Sequence, residues 1–237
     1  MYQMNLSYNM TRQEGNSIPT QNWGDSEKDR NLRQQLVEEI RRKGISNRKV
    51  LHAVNEVPRH LFMPDDLESF SYEDKAFPIG EGQTISQPYT VAYQTQLLEV
   101  RPNDKVLEIG TGSMYQACIL AAMGAEVFTI ERQKKLFSRK SVAAYVTACK
   151  NIRRFYGDGY DGLPEHAPFD KIIITAAAPF IPSGLVQQLK PGGIMVLPVG
   201  TGTHQTMIRL SKHKNGDVST DHFDSFSFVP MLKGKSE

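Results

Sequence analysis

Two acids and two glycines near the middle of the chain have the residue types and the spacing of a ligand site. Glu108, Gly110 and Gly112 form an E-x-G-x-G motif, and Glu131 follows Gly110 by 21 residues. Glycine lets a backbone approach a ligand closely, and a carboxylate accepts hydrogen bonds from ribose hydroxyls. These residues therefore indicate a site for a ligand that contains a nucleoside.

The surrounding stretch supplies the elements that would position these residues. Residues 106–109 form an apolar run typical of a buried parallel strand, and residues 110–113 predict a tight turn. A helix is predicted over 115–123 and a second strand over 126–131. In such a βαβ unit, the N-terminus of the helix faces the polar end of the ligand.

The two common phosphate-binding fingerprints are absent from this stretch. The dinucleotide motif G-x-G-x-x-G fails because Tyr115 occupies the third position, and no G-K-[ST] sequence is present. Glu108 would repel a pyrophosphate but suits a cation. S-adenosylmethionine, with its ammonium, sulfonium and ribose, fits these residues, although so short a motif also occurs in βα turns that bind nothing.

Length and composition exclude several classes of protein. The 237 residues fit one α/β domain, and 28 basic against 26 acidic residues do not indicate a nucleic-acid-binding protein. The mean hydropathy is −0.42, and neither a membrane span nor a signal peptide is expected. Cys118 and Cys149 are interpreted as small core residues in a reducing cytoplasm. The sequence shows no cluster that predicts a metal site.

The chain divides into a polar N-terminal tail, residues 1–25, and one domain, residues 26–237. Within that domain we expect an N-terminal helical part (26–77), a cofactor-binding core (78–200) and C-terminal strands (201–237).

Local patterns place further elements. A helix is predicted over 26–43, and a second helix begins with Ser46 as its N-cap and ends at Glu56. Gly80 and Gly82 predict a flexible loop. Further predicted elements are helices over 132–150 and 183–189, a turn at 190–193, a hairpin at 214–217, and strands over 152–156, 169–175, 194–199, 206–210 and 222–229.

Residues 82–89 (GQTISQPY) place a run of polar groups directly before a helix that begins at Pro88. From this local chemistry, Ser86 is either a helix cap or a residue of an active site.

Four of the candidate groups fall at the ends of predicted parallel strands. The glycine turn, Glu131, Asp158 and Thr175 each follow a different strand. The carboxyl ends of parallel strands form the ligand edge of an open α/β sheet. Asp158 is able to accept a hydrogen bond from an exocyclic amine such as adenine N6. This shared placement is more specific than any single motif.

A basic stretch follows Glu131, without any acid between residues 132 and 157. It indicates either binding of RNA or another acidic partner, or an ordinary solvated helix face. Its members are Arg132, Lys134, Lys135, Arg139, Lys140, Lys150, Arg153 and Arg154.

From about Val50 to Lys233 the chain resembles the protein-L-isoaspartate O-methyltransferase family of class I S-adenosylmethionine-dependent methyltransferases. The GQTISQPY loop is specific to that family and favours an active-site role for Ser86. The resemblance rests on VPRHLFMP (57–64), YEDKAFPIGEGQTISQPY (72–89), VLEIGTGS (106–113), YGDG (156–159), APFDKIIITAAAP (167–179), LKPGGIMVLPVG (189–200) and FVPMLKG (228–234).

The resemblance implies a doubly wound, Rossmann-like, mostly parallel seven-stranded sheet with a reversed final strand, helices on both faces and an N-terminal helical extension. It also implies methyl transfer from S-adenosylmethionine to the α-carboxylate of L-isoaspartyl residues, and in some cases D-aspartyl residues, in damaged proteins. S-adenosylhomocysteine is the product, and the ester cyclises to a succinimide that can reopen to aspartate. We expect a monomer that acts on isoaspartyl proteins and peptides, without membrane or nucleic acid partners.

The resemblance also assigns roles to individual residues. Ser86 corresponds to the family's active-site serine. The expected cofactor-binding residues are Ile85, Gln87, Glu108, Gly110, Gly112, Ser113, Glu131, Asp158, Gly159 and Thr175, and the expected substrate-binding residues are Val229, Pro230, Met231 and Leu232.

The chemistry of this reaction is compatible with the residues. A carboxylate with a reference pKa of about 3.5 is already ionised at neutral pH and needs no base. The enzyme has to align oxygen, methyl and sulfur and to remove water from the oxygen. A hydroxyl such as that of Ser86 would orient the carboxylate. Residues 175–180 (TAAAPF) lack the [DN]-P-P-[FYW] loop typical of N-methylation.

Met114 departs from the family pattern, which has glycine at this position in GTGSGY. If the turn needs positive φ here, a side chain costs about 1–2 kcal/mol. We expect instead that Met114 takes ordinary helical φ and ψ angles and packs away from the ligand. Two alternatives stay open: an RNA methyltransferase that uses the basic face 132–154, and a protein that binds S-adenosylmethionine with its catalysis weakened by Met114.

Overall fold

The computed structural model describes residues 24–139 and 143–236. Almost all of the predicted N-terminal tail therefore lies outside the described residues. Among those described, no helix combines the length and the apolar character that a bilayer crossing requires.

Helices and strands alternate along most of the described chain. The helices are α1 (Glu27–Arg42), α2 (Arg48–Glu56), α3 (Pro88–Leu98), α4 (Tyr115–Ala122), α5 (Lys134–Phe137), α6 (Ala143–Ala148) and α7 (Ser183–Gln188). The strands are β1 (Phe77–Gly80), β2 (Gln83–Ile85), β3 (Lys105–Ile109), β4 (Glu126–Glu131), β5 (Ile152–Tyr156), β6 (Phe169–Ile174), β7 (Leu189–Val199), β8 (Gln205–Lys212) and β9 (Val218–Phe226). Short 3₁₀ turns cover Arg59–Phe62, Asp65–Phe70 and Pro164–His166.

The main sheet has seven strands in the order β5-β4-β3-β6-β7-β8-β9. Strands β3 to β7 are parallel, and β8 is antiparallel to both of its neighbours. The expected reversal of the final strand is wrong: the reversed strand is the penultimate one. The hairpin between β8 and β9 reverses the chain a second time, so β9 again runs in the direction of the parallel strands.

Both faces of the sheet are covered, which accounts for the almost continuous apolar character of its central strands. In β3, Val106 packs into a cluster with residues of α1 to α4. Leu107 and Ile109 point to the other face, where they pack with β6 and α7 residues such as Ile172 and Leu185. Each fully buried aliphatic side chain contributes roughly 1.5–3 kcal/mol. The central strands are therefore fixed from both sides.

Three local predictions are corrected. The N-cap of α2 is Asn47, whose side chain accepts hydrogen bonds from the Lys49 and Val50 amides, while the Ser46 amide donates to Gln96. The glycines at 80 and 82 join the strands of the β1–β2 hairpin. Residues 190–193 belong to β7, where a register shift against β6 absorbs the glycines.

The helical region predicted over 132–150 is not one continuous helix in its described part. Two short helices, α5 and α6, occupy parts of this range, and the residues between 139 and 143 are not described. The predicted helix over 26–43 and the helix start at Pro88 agree with α1 and α3.

Met114 does not adopt the ordinary helical angles that were expected. It is the N-cap of α4 with φ 76° and ψ −3°, in the left-handed region. Its side chain is 2% exposed and packs into the helix-side core, away from the ligand edge, as expected. The chain thus accepts backbone strain of about 1–2 kcal/mol while burying a large apolar side chain.

Two substitutions at this position separate strain from burial. Met114→Ala keeps the strained backbone and loses the buried side chain, so we expect a loss of about 2–5 kcal/mol in the free energy of unfolding. Met114→Gly loses the same contacts but relieves the strain, and its unfolding free energy should exceed that of the alanine variant by about 1 kcal/mol. Urea denaturation measures both. Equal stability of the two variants would show that positive φ carries no cost here.

Candidate cofactor and substrate site

A cleft opens at the carboxyl ends of the central parallel strands. Its empty space amounts to about 820 Å³ when the open solvent at its mouth is included. It is lined by the turns that follow β3 to β6, by the first turns of α3 and α4, by the end of the β1–β2 hairpin with Ser86, and by a C-terminal segment around Met231. The predicted ligand edge is therefore a real concavity, which additional segments close from two sides.

Gly110, the first residue of the turn after β3, is packed too closely for a side chain. Gly110 has φ +95°, and a Cβ atom there would lie 2.7 Å from the Thr175 hydroxyl oxygen. That hydroxyl donates to the carbonyl oxygen of Gly110 at 2.7 Å, and also lies 3.0 Å from that of Ile109. Thr175 therefore supports the backbone of the turn from the neighbouring strand β6.

Glu131, at the end of β4, holds the same turn from the other side. Its Oε2 accepts the Gly112 amide at 2.9 Å, and its Oε1 accepts the Gln133 amide at 2.7 Å. The side chain is buried but lines the cleft. Each carboxylate oxygen has a second lone pair, which is free to accept a ribose hydroxyl.

Glu108 lies in β3 below the turn and does not line the cleft. Its side chain is fully buried, and neither carboxyl oxygen has a hydrogen-bond partner within the described part of the chain. Burial raises the pKa of Glu108 to about 8; the nearby Thr129 hydroxyl partly opposes this rise, and the charge of Glu131 adds to it. The group is therefore mostly protonated at neutral pH in the unliganded protein.

Ser86 lines the cleft and is not the cap of α3. The N-cap residue is Gln87, whose side chain makes no capping hydrogen bond. The Tyr89 amide in the first turn donates instead to the carboxylate of Asp74, at 2.7 Å. The acceptor at the start of α3 is therefore Asp74, and the prediction that Ser86 caps this helix is wrong.

The C-terminal segment crosses the sheet edge and closes the cleft. The Ala177 amide donates to the Val229 carbonyl, and the Met231 amide donates to the Ala177 carbonyl, both at 2.8 Å. The Tyr160 hydroxyl donates to the Met231 carbonyl at 3.3 Å. Leu232, 47% exposed, projects at the mouth.

Asp158 anchors this segment. One carboxylate oxygen accepts the Tyr160 amide at 2.8 Å, and the other accepts the Gly234 amide at 2.6 Å. Asp158 does not line the cleft, but Gly159 does. A Cβ atom at Gly159 would lie 2.5 Å from the Ile109 side chain, so only glycine fits there. The predicted contact of Asp158 with adenine stays a prediction.

The structure brings most of the predicted site residues together. Gln87, Glu108 and Asp158 do not reach the cleft. The side-chain amide of Gln87 instead donates to Asp74. The predicted residues that line the cleft are Ile85, Ser86, Gly110, Gly112, Ser113, Glu131, Gly159, Thr175, Val229, Pro230, Met231 and Leu232.

Sequence reasoning missed a second group of lining residues. Gln83 and Thr84 belong to the GQTISQPY loop and could have been found from it. Apolar residues such as Val91 and Ile130 look like core positions, because a sequence pattern does not show which end of an element borders a cavity. The missed residues are Gln83, Thr84, Val91, Ile109, Thr111, Tyr115, Gln116, Ile130, Arg132 and Ala176.

Several members of the basic stretch have partners within the chain. Arg132 donates to the Gly234 carbonyl at 2.9 Å, Lys135 pairs with Glu81 at 3.1 Å, and Arg154 donates to the Phe137 carbonyl. These contacts use the cations to hold loops around the cleft, which weakens the case for an RNA-binding surface.

The protonation of Glu108 predicts an unusual pH dependence of stability. Between its unfolded value, near 4.5, and its folded value, about 8, the folded state holds a proton that the unfolded state has lost. The stability that Glu108 contributes is therefore lost as pH rises through this window. Glu108→Gln lacks this titration, so its unfolding free energy should rise relative to wild type by up to about 1.4 kcal/mol per pH unit.

Urea denaturation between about pH 5 and pH 8 measures this difference. Glu126→Gln, an exposed substitution at the start of the neighbouring strand, is the matched control and should follow the wild-type curve. A constant difference between Glu108→Gln and wild type would contradict the protonation of Glu108.

The chain is similar to proteins of one family along nearly its whole length. Residues 30–236 match the family described as protein-L-isoaspartate(D-aspartate) O-methyltransferase (PCMT). The protein-L-isoaspartate O-methyltransferase of Flavobacterium psychrophilum is 49% identical over 212 residues, which cover 90% of this chain and 99% of the relative. The enzyme of the same name from Flavobacterium johnsoniae is 50% identical with the same coverage.

A solved structure has the same fold. It is a protein-L-isoaspartate O-methyltransferase from Plasmodium falciparum in complex with S-adenosyl-L-homocysteine. It is 25% identical, has a TM-score of 0.74 and aligns with 85% of this chain and 99% of its own. The predicted fold class and cofactor are confirmed. The chain belongs to the protein-L-isoaspartate O-methyltransferase family, and it is a protein repair enzyme that uses S-adenosylmethionine.

Proposed function

We propose that S-adenosylmethionine lies along the carboxyl edge of the sheet and that Ser86 orients the substrate carboxylate toward its methyl group. The main support is that Ser86 lines the same cleft as the glycine turn and Glu131. Its hydroxyl takes part in no hydrogen bond that the described residues show, and it does not cap α3. It is therefore available to a bound acceptor.

The cofactor residues divide by chemistry. Glu131 accepts the ribose hydroxyls with its remaining lone pairs, and the backbone of Gly110 and Gly112 approaches the methionine part, with Ser113 beside it. Thr175 and Gly159 shape the turn and the opposite wall, and Ile85 contributes an apolar contact. Gln87, Glu108 and Asp158 do not line the cleft and act indirectly, by supporting the residues that do. A bound cation would favour ionisation of the buried Glu108 carboxyl, since an opposite charge lowers a carboxyl pKa.

The reaction needs alignment more than activation. The α-carboxylate of an isoaspartyl residue is ionised at neutral pH, so one of its oxygens attacks the methyl carbon while the bond to sulfur breaks. The products are a methyl ester and S-adenosylhomocysteine. A serine hydroxyl that donates to the second carboxylate oxygen fixes the angle of attack, and closure of the cleft removes water from the nucleophile.

The C-terminal segment holds the peptide. Val229, Pro230, Met231 and Leu232 present apolar side chains beside the cleft, and Leu232 is half exposed at its mouth. This arrangement suits an extended peptide that passes over the edge and lowers its isoaspartyl group into the cleft. A D-aspartyl residue is proposed as a second substrate, in line with the name of the family.

We further propose a monomer, built as one domain over residues 26–237, that acts in the cytoplasm. The free thiols of Cys118 and Cys149 are both buried and fit a reducing compartment. Nucleic acid is not proposed as a partner, because cations of the basic stretch contact the chain itself.

Selectivity for the damaged residue tests the proposed substrate. With labelled S-adenosylmethionine, an isoaspartyl peptide should be methylated and its normal aspartyl twin should not, because only the isoaspartyl residue has a free α-carboxylate; its extra methylene lies in the main chain. Equal labelling of the two peptides, or labelling of tRNA instead, would contradict the proposal.

Ser86→Ala tests the role of the hydroxyl. We expect kcat to fall about 10- to 100-fold, as for a misplaced reactant, while S-adenosylhomocysteine affinity in calorimetry stays within about twofold because the cofactor contacts remain. Ser225→Ala, an exposed substitution in β9, is the control and should keep wild-type kcat. Unchanged turnover of Ser86→Ala would remove Ser86 from the mechanism.

Calorimetry of the unaltered chain with S-adenosylhomocysteine tests whether Met114 weakens the cofactor site. Because the Met114 side chain packs into the core and not into the cleft, we expect one site per chain and clear binding. Absent binding would favour a protein disabled by this substitution.

A further inference from the structure

Asp74 lies outside the cleft but makes hydrogen bonds with the loop that carries Ser86. It follows the 3₁₀ turn Asp65–Phe70 and precedes β1. Its side chain is only 2% exposed. A carboxylate buried to this degree needs several partners to offset the loss of water.

The partners of Asp74 lie immediately after Ser86. One carboxylate oxygen accepts the Tyr89 amide at 2.7 Å, and the other accepts the side-chain amide of Gln87 at 3.0 Å. The same Gln87 amide also donates to the Asp74 backbone carbonyl at 3.0 Å. Asp74 therefore binds both Gln87 and Tyr89, the first and third residues after Ser86.

These contacts replace a missing helix cap. The first amides of a helix need acceptors, and a negative charge is favourable at this end. Gln87 does not cap α3 with its own side chain. Asp74 takes over this function from 15 residues upstream. Because the cap comes from another segment, it fixes the helix start, and with it Ser86, to the rest of the protein.

The N-terminal helices hold Asp74 in turn. Lys43, the C-cap residue of α1, donates to Asp74 at 2.7 Å and to Glu39 at 2.6 Å. The hydrogen bond with Asp74 is the main cause of the raised pKa of Lys43. The fully buried Arg59 donates to the carbonyl of the next residue, Lys75, at 3.2 Å.

Neighbouring contacts reinforce this segment. The Tyr72 hydroxyl lies 2.7 Å from a ring nitrogen of His60 and 3.1 Å from an Arg33 guanidinium nitrogen. The Arg59 guanidinium lies over the ring of Tyr115, 4.9 Å from its centroid, and Tyr115 lines the cleft. Charged groups of the N-terminal part therefore contact the Asp74 segment, which binds the Ser86 loop, and Tyr115, which lines the cleft.

We propose that Asp74 is a positioning residue for methyl transfer: its carboxylate, paired with Lys43, fixes the loop that carries Ser86. This inference rests on the proposed role of Ser86. It assigns a function in catalysis to the N-terminal helical part, which contributes no side chain of its own to the cleft through residues 24–77.

Asp74→Asn is the direct test. The asparagine side chain has the same shape and keeps one oxygen to accept from the Tyr89 amide. Its NH₂ group, however, faces the Gln87 and Lys43 donors and cannot accept their hydrogen bonds. We expect kcat, normalised to folded sites by S-adenosylhomocysteine titration, to fall about 10-fold or more, with cofactor affinity within about twofold of wild type. A purely structural role would instead lower the number of folded sites and leave kcat per site unchanged, which would overturn the proposal.

A milder variant keeps the test valid if Asp74→Asn fails to fold. Lys43→Met removes the counter-ion from a half-exposed position, and kcat per site should fall about threefold. Glu39→Gln removes the other ion pair of the same lysine and is the matched control, expected at wild-type kcat. Equal kcat values for Lys43→Met and Glu39→Gln would count against the proposal.

A double-mutant cycle with Ser86→Ala shows whether Asp74 acts through the serine. If it does, Asp74→Asn should lower kcat no further once Ser86 is alanine. Independent, multiplying losses would overturn the proposal. Failure of the proposed function is seen separately, because Ser86→Ala alone would then keep wild-type turnover.

Discussion

The hydrogen bond between the Gly112 amide and the Glu131 carboxylate is the contact on which the ligand edge depends. It joins the turn after β3 to the end of β4, at 2.9 Å. Thr175 at the end of β6 holds the same turn from the opposite side through the Gly110 carbonyl. The ends of three parallel strands therefore form one concave surface, because Glu131 after β4 and Thr175 after β6 both bind the turn that follows β3.

Buried charge supports this edge from below and from the side. The side chains of Arg59, Asp74 and Glu108 are all buried, and the loss of hydration is offset in a different way for each. Both carboxylate oxygens of Asp74 accept hydrogen bonds. The Arg59 guanidinium donates to one carbonyl and lies over an aromatic ring. Glu108 becomes protonated, because its pKa rises to about 8. The Arg59 nitrogens and Glu108 oxygens that lack hydrogen-bond partners among the described residues cost stability, and they lie beside segments that line the cleft.

Met114 shows how packing can outweigh backbone preference. Met114 at the start of α4 has positive φ, as do Gly110 and Gly112 in the turn before it. The cost of about 1–2 kcal/mol is offset by burial of the thioether side chain in the helix-side core. The Met114 side chain thus replaces the family glycine without lining the cleft.

The fold class was predictable from local patterns in the sequence, whereas the cofactor and the reaction followed from the resemblance of several segments to one family. The βαβ unit around Gly110, the acid at Glu131 and the loop around Ser86 are continuous segments whose spacing is readable. The sequence also located most of the cleft residues, since strand ends are predictable from apolar runs.

The tertiary structure decided what depends on distant partners. It showed that Asp74, and not Ser86, serves the start of α3, that Asp158 binds the backbone of the C-terminal segment, and that the reversed strand is the penultimate one. Each of these results joins residues far apart in the chain, or depends on the order of strands in the sheet. Hydrogen-bond partners and burial of this kind leave no periodic trace in the sequence, and only the folded arrangement fixes them.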